Sequence, residues 1–208
     1  MFTGIVAAVG AITQVTPLQG GDANAGVRLT IAAGGLPLQD TKLGDSIAIQ
    51  GACMTVVSLT DDSFQVDVSR ESLSKTARLD AAGEVNLEHA LRVGDSLDGH
   101  LVSGHIDGLG TVANFSPVGE SWDLRIDVPP NLAKYLAYKG SITVNGVSLT
   151  VNSVQDDARG GCQISINLIP HTVQVTTLKH LKPGHSVNLE VDTIARYVER
   201  MLSAQKAG

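Results

Sequence analysis

Aromatic side chains are scarce in this chain. One Trp, three Tyr and three Phe make up 3% of 208 residues, so any ring near a candidate site carries unusual weight. Cysteine is equally rare. Cys53 and Cys162 are too few for a disulfide framework and read as free thiols, one of them available for chemistry. No apolar run approaches the roughly 20 residues that span a bilayer, so no membrane partner is expected. The net charge is −6, and the basic residues are scattered rather than gathered into the stripe that marks a nucleic-acid surface. Met1-Phe2-Thr3-Gly4 carries neither a basic n-region nor a cleavage signal, so the expected location is cytoplasmic. Cys-x-x-Cys, His-Glu-x-x-His, P-loop and dinucleotide fingerprints are all missing. His100 and His105, five apart, would fall on opposite faces of an extended strand, so a shared metal is not expected.

What the chain does have is a repeat. Thr3-Gly4-Ile5-Val6 returns as Ser103-Gly104-His105-Ile106. Ser46 to Val56 matches Ser141 to Val151, and Asp67 to Thr76 matches Asn167 to Thr176. Val85-Asn86-Leu87-Glu88 recurs letter for letter as Val187-Asn188-Leu189-Glu190. Four blocks in one order at nearly constant spacing establish a duplication. Each half alternates with period two, as in Phe64 to Val68 and Gln163 to Ile166, which indicates strands. Turns at Gly20-Gly21-Asp22, Thr60-Asp61-Asp62 and Asp156 to Gly161 divide short strands, so each half reads as a small barrel or sandwich. Val144-Asn145-Gly146 fits a hairpin turn or a strand bend equally well. The expected units are 1–90, 91–190 and a C-terminal helix and tail at 191–208. A further short helix is expected at Pro130 to Leu136. In the C-terminal helix Ile194, Tyr197, Val198, Met201 and Leu202 form one apolar stripe, while Arg196 and Glu199 should face out. That stripe must cover its own barrel or a neighbouring subunit.

In a duplicated chain, the unlike polar positions are the candidates for chemistry. Cys53 stands opposite Ser148, Ile5 opposite His105, Phe2 opposite Val102, Glu71 opposite His171, Ala90 opposite Asp192 and Gly44 opposite Lys139. On this count the second half gathers His105, Lys139, Ser148 and Asp192, while the first offers Phe2, Ser46 and Cys53. Duller roles stand beside these. Cys53 is also a small apolar filler, Asp192 a helix cap, Lys139 a solvated turn residue, and Ser148 and Thr150 partners for backbone groups at a bend.

Met1 to Val6, Gly99 to Gly108, Lys139 to Val151 and Leu168 to Thr172 together resemble the riboflavin synthase family over essentially the whole chain. Gln50 and Met54 depart from it, standing where the family often has Asn and Leu, a difference expected to touch the N-terminal pocket. The resemblance implies an all-β fold of two tandem, pseudo-symmetric, six-stranded antiparallel Greek-key barrels with a C-terminal helix that joins a homotrimer. It also implies a transferase of riboflavin biosynthesis, in which two molecules of 6,7-dimethyl-8-ribityllumazine exchange a four-carbon unit without cofactor or metal. On that reading His105 transfers a proton, and Cys53 and Ser148 hydrogen-bond or add at the ring. Thr150, Ser46 and Lys139 hold the polar ring edge or ribityl chain, Asp192 orients a neighbour, and Phe2 closes as an apolar lid. Backbone groups of Gly4, Ile5 and Val6, and of Gly104, His105 and Ile106, would pair with the pteridine edge. Met54 and Thr55 beside Cys53, and Leu149 beside Ser148, extend these surfaces. Asp67, Val68, Ser69, Arg70, Glu71 and Ser72 would complete one pocket. Asn167, Leu168, Ile169, Pro170, His171 and Thr172 would complete the other. The rival reading is a non-catalytic lumazine or flavin carrier on the same double barrel. A single flavin-reductase-type barrel leaves no residues for the nucleotide-binding domain it would need.

Overall fold

The computed structural model describes residues 1–18 and 25–206, so the expected Gly20-Gly21-Asp22 turn lies outside the described residues. In the first half, β1 (Ala8–Pro17), β2 (Val27–Ala32), β3 (Ser46–Ile49), β4 (Ala52–Leu59), β5 (Ser63–Val68) and β6 (Gly83–His89) close into a barrel. Their order is β1-β2-β5-β4-β3-β6, a Greek-key arrangement with every pairing antiparallel. A short helix, α1 (Arg70–Lys75), leads from β5 towards β6 and is started by the Ser69 hydroxyl, which accepts from the Ser72 amide. The alternation read from the sequence is what the strands use. Leu29, Ile31, Val66, Val85 and Leu87 point inward to one core, where each such side chain contributes about 1.5–3 kcal/mol.

The second half is built from β7 (Gly108–Val118), β8 (Ser121–Val128), α2 (Pro130–Ala133), β9 (Ser141–Val144), β10 (Val147–Thr150), β11 (Ser153–Asp156), β12 (Cys162–Leu168), α3 (Pro170–Gln174) and β13 (Ser186–Val191). Its sheet runs β10-β9-β13-β7-β8-β12-β11. The two edge strands, β10 and β11, are successive pieces of one chain segment, so this half repeats the six-strand wrap with its fourth strand broken. The break at Val151-Asn152 falls where β4 carries a bulge between Val56 and Ser58. The expected helix at Pro130 is present but stops at Ala133.

The halves meet back to back through two hairpin turns. Gln50-Gly51 and Asn145-Gly146 both take left-handed φ values (52° and 88°, 50° and 82°), as a two-residue type I′ hairpin requires. The open question at Asn145 is thus resolved as a turn. A Cβ on Gly51 would stand 2.7 Å from the Gly146 amide nitrogen, so neither position tolerates a side chain.

Around this contact lies a buried amide network. Asn86 Nδ2 donates to the Asn145 carbonyl (2.8 Å), and Asn188 Nδ2 donates to the Gln50 carbonyl (3.0 Å). Asn86 Oδ1 accepts from the Thr177 amide, and Asn188 Oδ1 from the Ala77 amide. The Gln50 departure therefore touches the barrel interface and not the N-terminal pocket. Its carboxamide accepts from the Asn86 amide and donates to the Thr177 hydroxyl.

The C-terminal helix, α4 (Thr193–Lys206), overturns one expectation. Arg196 and Glu199 do not face out. Arg196 grips Asp107 at 2.7 and 2.8 Å, and Glu199 binds Lys134 at 2.8 Å, so the polar face lies on the helix's own barrel. The stripe of Ile194, Tyr197, Val198, Met201 and Leu202 is left exposed. An Arg–Asp bond and a Lys–Glu bond thus hold the polar face against the barrel.

Asn188→Ala would strand the Ala77 amide and the Gln50 carbonyl in a buried interface, at roughly 1–3 kcal/mol for each group. A loss of about 3 kcal/mol in urea-unfolding free energy is expected; an unchanged midpoint would show that the network carries no stability.

Candidate functional site: two pockets closed by exchanged straps

The segments ahead of β1 and β7 do not stay with their own halves. Phe2 and Val102, matched in the repeat, pair with each other across the crossing point, with N···O distances of 2.7 and 3.1 Å. Beyond it each segment runs onto the opposite barrel. Val6 packs on the second core and Ile106 on the first. The Gly4 carbonyl accepts from the Ser148 amide, and the Gly104 carbonyl accepts from the Cys53 amide, both at 2.8 Å. Gly4 and Gly104 have φ near +78°, and a Cβ on either would lie 2.6 Å from the side chain it covers. Only glycine allows so close an approach.

A buried glutamate holds each strap. Glu88 accepts from the Thr3 amide (2.6 Å), the Thr3 hydroxyl (2.7 Å) and the Gly4 amide (3.0 Å). Glu190 accepts from the Ser103 amide (2.6 Å), its hydroxyl (2.8 Å), and the amides of Gly104 (2.9 Å) and His105 (3.1 Å). Burial pushes both carboxyls above the ordinary glutamate range, against the opposing pull of these hydrogen bonds. The sequence signal for these residues was the identical Val-Asn-Leu-Glu block, which had been read only as part of the repeat.

The first pocket is a cleft of about 290 Å³ lined by Cys53, Met54, Glu71, Ser72, Gly104, His105 and Ile106, together with Ala52, Lys75 and Thr76. Lys75 and Thr76 had not been singled out. Lys75 is tied to Glu71 at 2.6 Å, one turn along α1. Cys53 and His105 are therefore partners, whereas the sequence grouping set His105 with Ser148. In the second half, Ser148 lies under Gly4 and bonds instead to His100, whose Nδ1 is 2.7 Å from its hydroxyl. The other ring nitrogen lies 3.3 Å from the Thr143 hydroxyl. His100 had been weighed only as a metal ligand and set aside. Burial lowers its pKa from the usual 6.5, partly offset by the charge of Asp192, so the ring is neutral at neutral pH.

Other candidates fall into plainer places. Phe2 is fully buried with Ala48 and Val102, packed behind Cys53 and Gly104, so it backs the pocket wall and is not a lid. Asp192 caps α4 by accepting from the Ile194 amide. Lys139, in a left-handed turn matching Gly44, donates to Asn152 Oδ1. Asp67 is bound by Arg28 in a bidentate surface pair. Ser46 and Thr55 pair across β3 and β4. Val68 and Leu168 are buried in their cores, and Ser69 is spent capping α1. Arg70 is exposed at the start of α1. Leu149 and Thr150 continue β10 beyond Ser148, and Ile5 presents an exposed apolar side chain. Asn167, Ile169, Pro170 and His171 are exposed around the start of α3, with Thr172 half-buried behind them.

A family model described as lumazine binding domain matches residues 3–90 and again 103–192. Curated riboflavin synthases are similar over nearly the whole chain. The Photobacterium phosphoreum enzyme is 44% identical over 99% of this chain and 91% of its own length, and that of Mycobacterium bovis is 43% identical over 97% and 98%. Among solved structures, LumP complexed with 6,7-dimethyl-8-(1'-D-ribityl) lumazine matches with a TM-score of 0.77 at 26% identity, covering 92% of this chain and 99% of LumP. LumP with riboflavin matches at 0.78 and 28%, with the same coverage. The fold and pockets thus define a paired lumazine-binding protein. Within that class, the chain belongs to the riboflavin synthase family.

Two measurements check the site. As pH falls through 6.5, the unfolded chain takes up a proton at position 100 before the folded one does, so stability should drop on the acid side until the folded ring itself protonates. His100→Gln should flatten that part of the stability–pH curve relative to the parent; a superimposable curve would refute the neutral assignment. Separately, burial and the charges of Asp156 and Asp157 push the Cys162 thiol up to about 11. Iodoacetamide at neutral pH is expected to label Cys53 alone, as peptide mapping would reveal.

Proposed function

We propose that the chain catalyses the dismutation of two 6,7-dimethyl-8-ribityllumazine molecules, passing four carbons from one to the other to give riboflavin and 5-amino-6-ribitylaminouracil. The single observation that carries this is the paired construction. Two places related by the internal repeat are alike in backbone and unlike in polar groups, Cys53 with His105 in one and Ser148 with His100 in the other. A reaction whose donor and acceptor are the same compound needs that combination: similar shape for both copies, different chemistry for each.

His105 moves a proton to or from the lumazine held against Cys53, where a well-placed base is worth roughly 10²–10⁴-fold. Ser148, bonded to neutral His100, presents a polarised hydroxyl to the other copy. The backbone of Val6 and Ile106, beyond the strap groups held by Glu88 and Glu190, meets the polar ring edges, and buried Phe2 keeps the crossing dry. Holding the two rings face to face replaces a meeting in solution by a local step, for which effective molarities reach about 10⁵ M or more.

Each pocket contains half the groups, so the working site pairs a first pocket with a second pocket from another subunit. A homotrimer assembled through α4 supplies that pairing. The exposed stripe on α4 is the surface that would close it. The enzyme is accordingly a transferase, working as a trimer in the cytoplasm, where its two free thiols are kept reduced. The units 1–90, 91–190 and 191–208 keep their roles as two lumazine-binding barrels and an assembly helix. A carrier that binds lumazine without converting it is the second reading, favoured by the likeness to LumP.

Incubation with 6,7-dimethyl-8-ribityllumazine alone separates the two. Riboflavin absorbance is expected to rise with equimolar aminouracil product, and His105→Gln should lower kcat by about 100-fold. Stoichiometric binding with no flavin formed would leave only the carrier.

A further inference from the structure

We propose that Glu190 is the positioning residue that sets His105 against Cys53 in the first pocket. The inference rests on the function proposed above and adds to it a residue that touches no substrate. Its basis is a departure from the internal symmetry. In the first strap, Glu88 binds the amides of Thr3 and Gly4 but not that of Ile5, which turns to the Thr3 hydroxyl at 3.0 Å. In the second strap, Glu190 extends one residue further and takes the His105 amide itself at 3.1 Å. The carboxylate thus grips the backbone of the strap residue that lines the first pocket with a titratable ring where the other strap has Ile5.

The strap is also fixed on the far side of His105. Asp107 accepts from the Val191 amide at 2.9 Å and from Arg196 at 2.7 and 2.8 Å. Glu190 and Val191 are adjacent on β13, so one strand end clamps the chain both before and after His105-Ile106. In between, the Gly104 carbonyl lies on the Cys53 amide, which sets the register of the strap against β4. Among the described residues the His105 ring has no hydrogen-bond partner, and it is exposed to the pocket. The backbone is held while the ring is left for a ligand, as a positioned acid or base needs.

Substituting glutamine tests this. A carboxamide has one accepting oxygen, and its NH2 group would face at least one strap amide that also donates, so one or two of the four bonds are lost and the strap must shift. Glu190→Gln should lower kcat for lumazine dismutation by about 10- to 100-fold, the scale of a small misplacement, with a smaller change in KM. Because the effect runs through His105, the double variant with His105→Gln should be no slower than His105→Gln alone. Full kcat in Glu190→Gln, or losses that multiply in the double variant, would overturn the proposal.

A readout independent of turnover is the rate at which iodoacetamide modifies Cys53. Glu190→Gln should expose it and speed labelling several-fold, while Glu88→Gln should not; equal rates in both would also overturn the assignment. If the parent protein forms no riboflavin, the functional reading fails and the labelling rates alone decide the positioning. Should Glu190→Gln fail to fold, Ser103→Ala removes one of the four bonds without touching the buried charge, and is expected to give the same pattern at smaller size.

Discussion

The arrangement of the molecule depends on two buried carboxylates, each holding a chain segment that belongs to one repeat against the barrel of the other. Glu88 and Glu190 sit on β6 and β13, close to the crossing of the straps, and between them accept seven hydrogen bonds from residues 3–4 and 103–105. A buried carboxylate is costly to desolvate unless its oxygens are filled, and here backbone amides fill them. The same bonds that offset that cost also fix where Gly4 and Gly104 lie. Each glycine then covers the residue at the start of a strand, Ser148 or Cys53, and each pocket becomes a composite of both halves.

This exchange gives the internal repeat its consequence. Had each strap stayed on its own barrel, His105 would sit beside Ser148 and the first pocket would hold a thiol with no histidine beside it. Crossing deals one histidine to each pocket: His105 to Cys53 and His100 to Ser148. The asymmetry of the two sites therefore arises from substitutions between the repeats, Cys53 against Ser148 and Ile5 against His105, and from the crossing that re-sorts them. The inter-barrel amides protect the arrangement by locking the two hairpins back to back, so that neither barrel can rotate and pull a strap from its pocket.

Much of the fold could be read from the residues, because strand alternation and the four repeated blocks are local patterns that burial enforces. The pocket was partly legible for the same reason: Cys53, His105 and Ser148 were found by comparing the repeats. Their grouping was not, since Cys53 and His105 are 52 positions apart and only the crossing brings them together. Glu88 and Glu190 were hidden by their sameness, as a search for differences passes over identical residues that do identical work. Arg196 and Glu199 misled in another way. A polar face normally meets water, yet here it found Asp107 and Lys134 on its own barrel, and the apolar stripe was turned outward. The lid role that the family resemblance implies for Phe2 does not match its place, since pairing with Val102 buries it behind Cys53 and Gly104.

What the sequence by itself determined was the duplication, the β character of each half, the family, and a short list of candidate site residues. Periodicity, composition and motif order are properties of the chain taken in order, and they need no contact to be visible. Only the tertiary structure decided which of those residues share a pocket, which glutamates hold them there, and which face of α4 is left uncovered. Those outcomes depend on the path of two five-residue straps and on the pairing of a few buried charges. Both are set by where hydrogen-bond partners lie in space, which no spacing along the chain records.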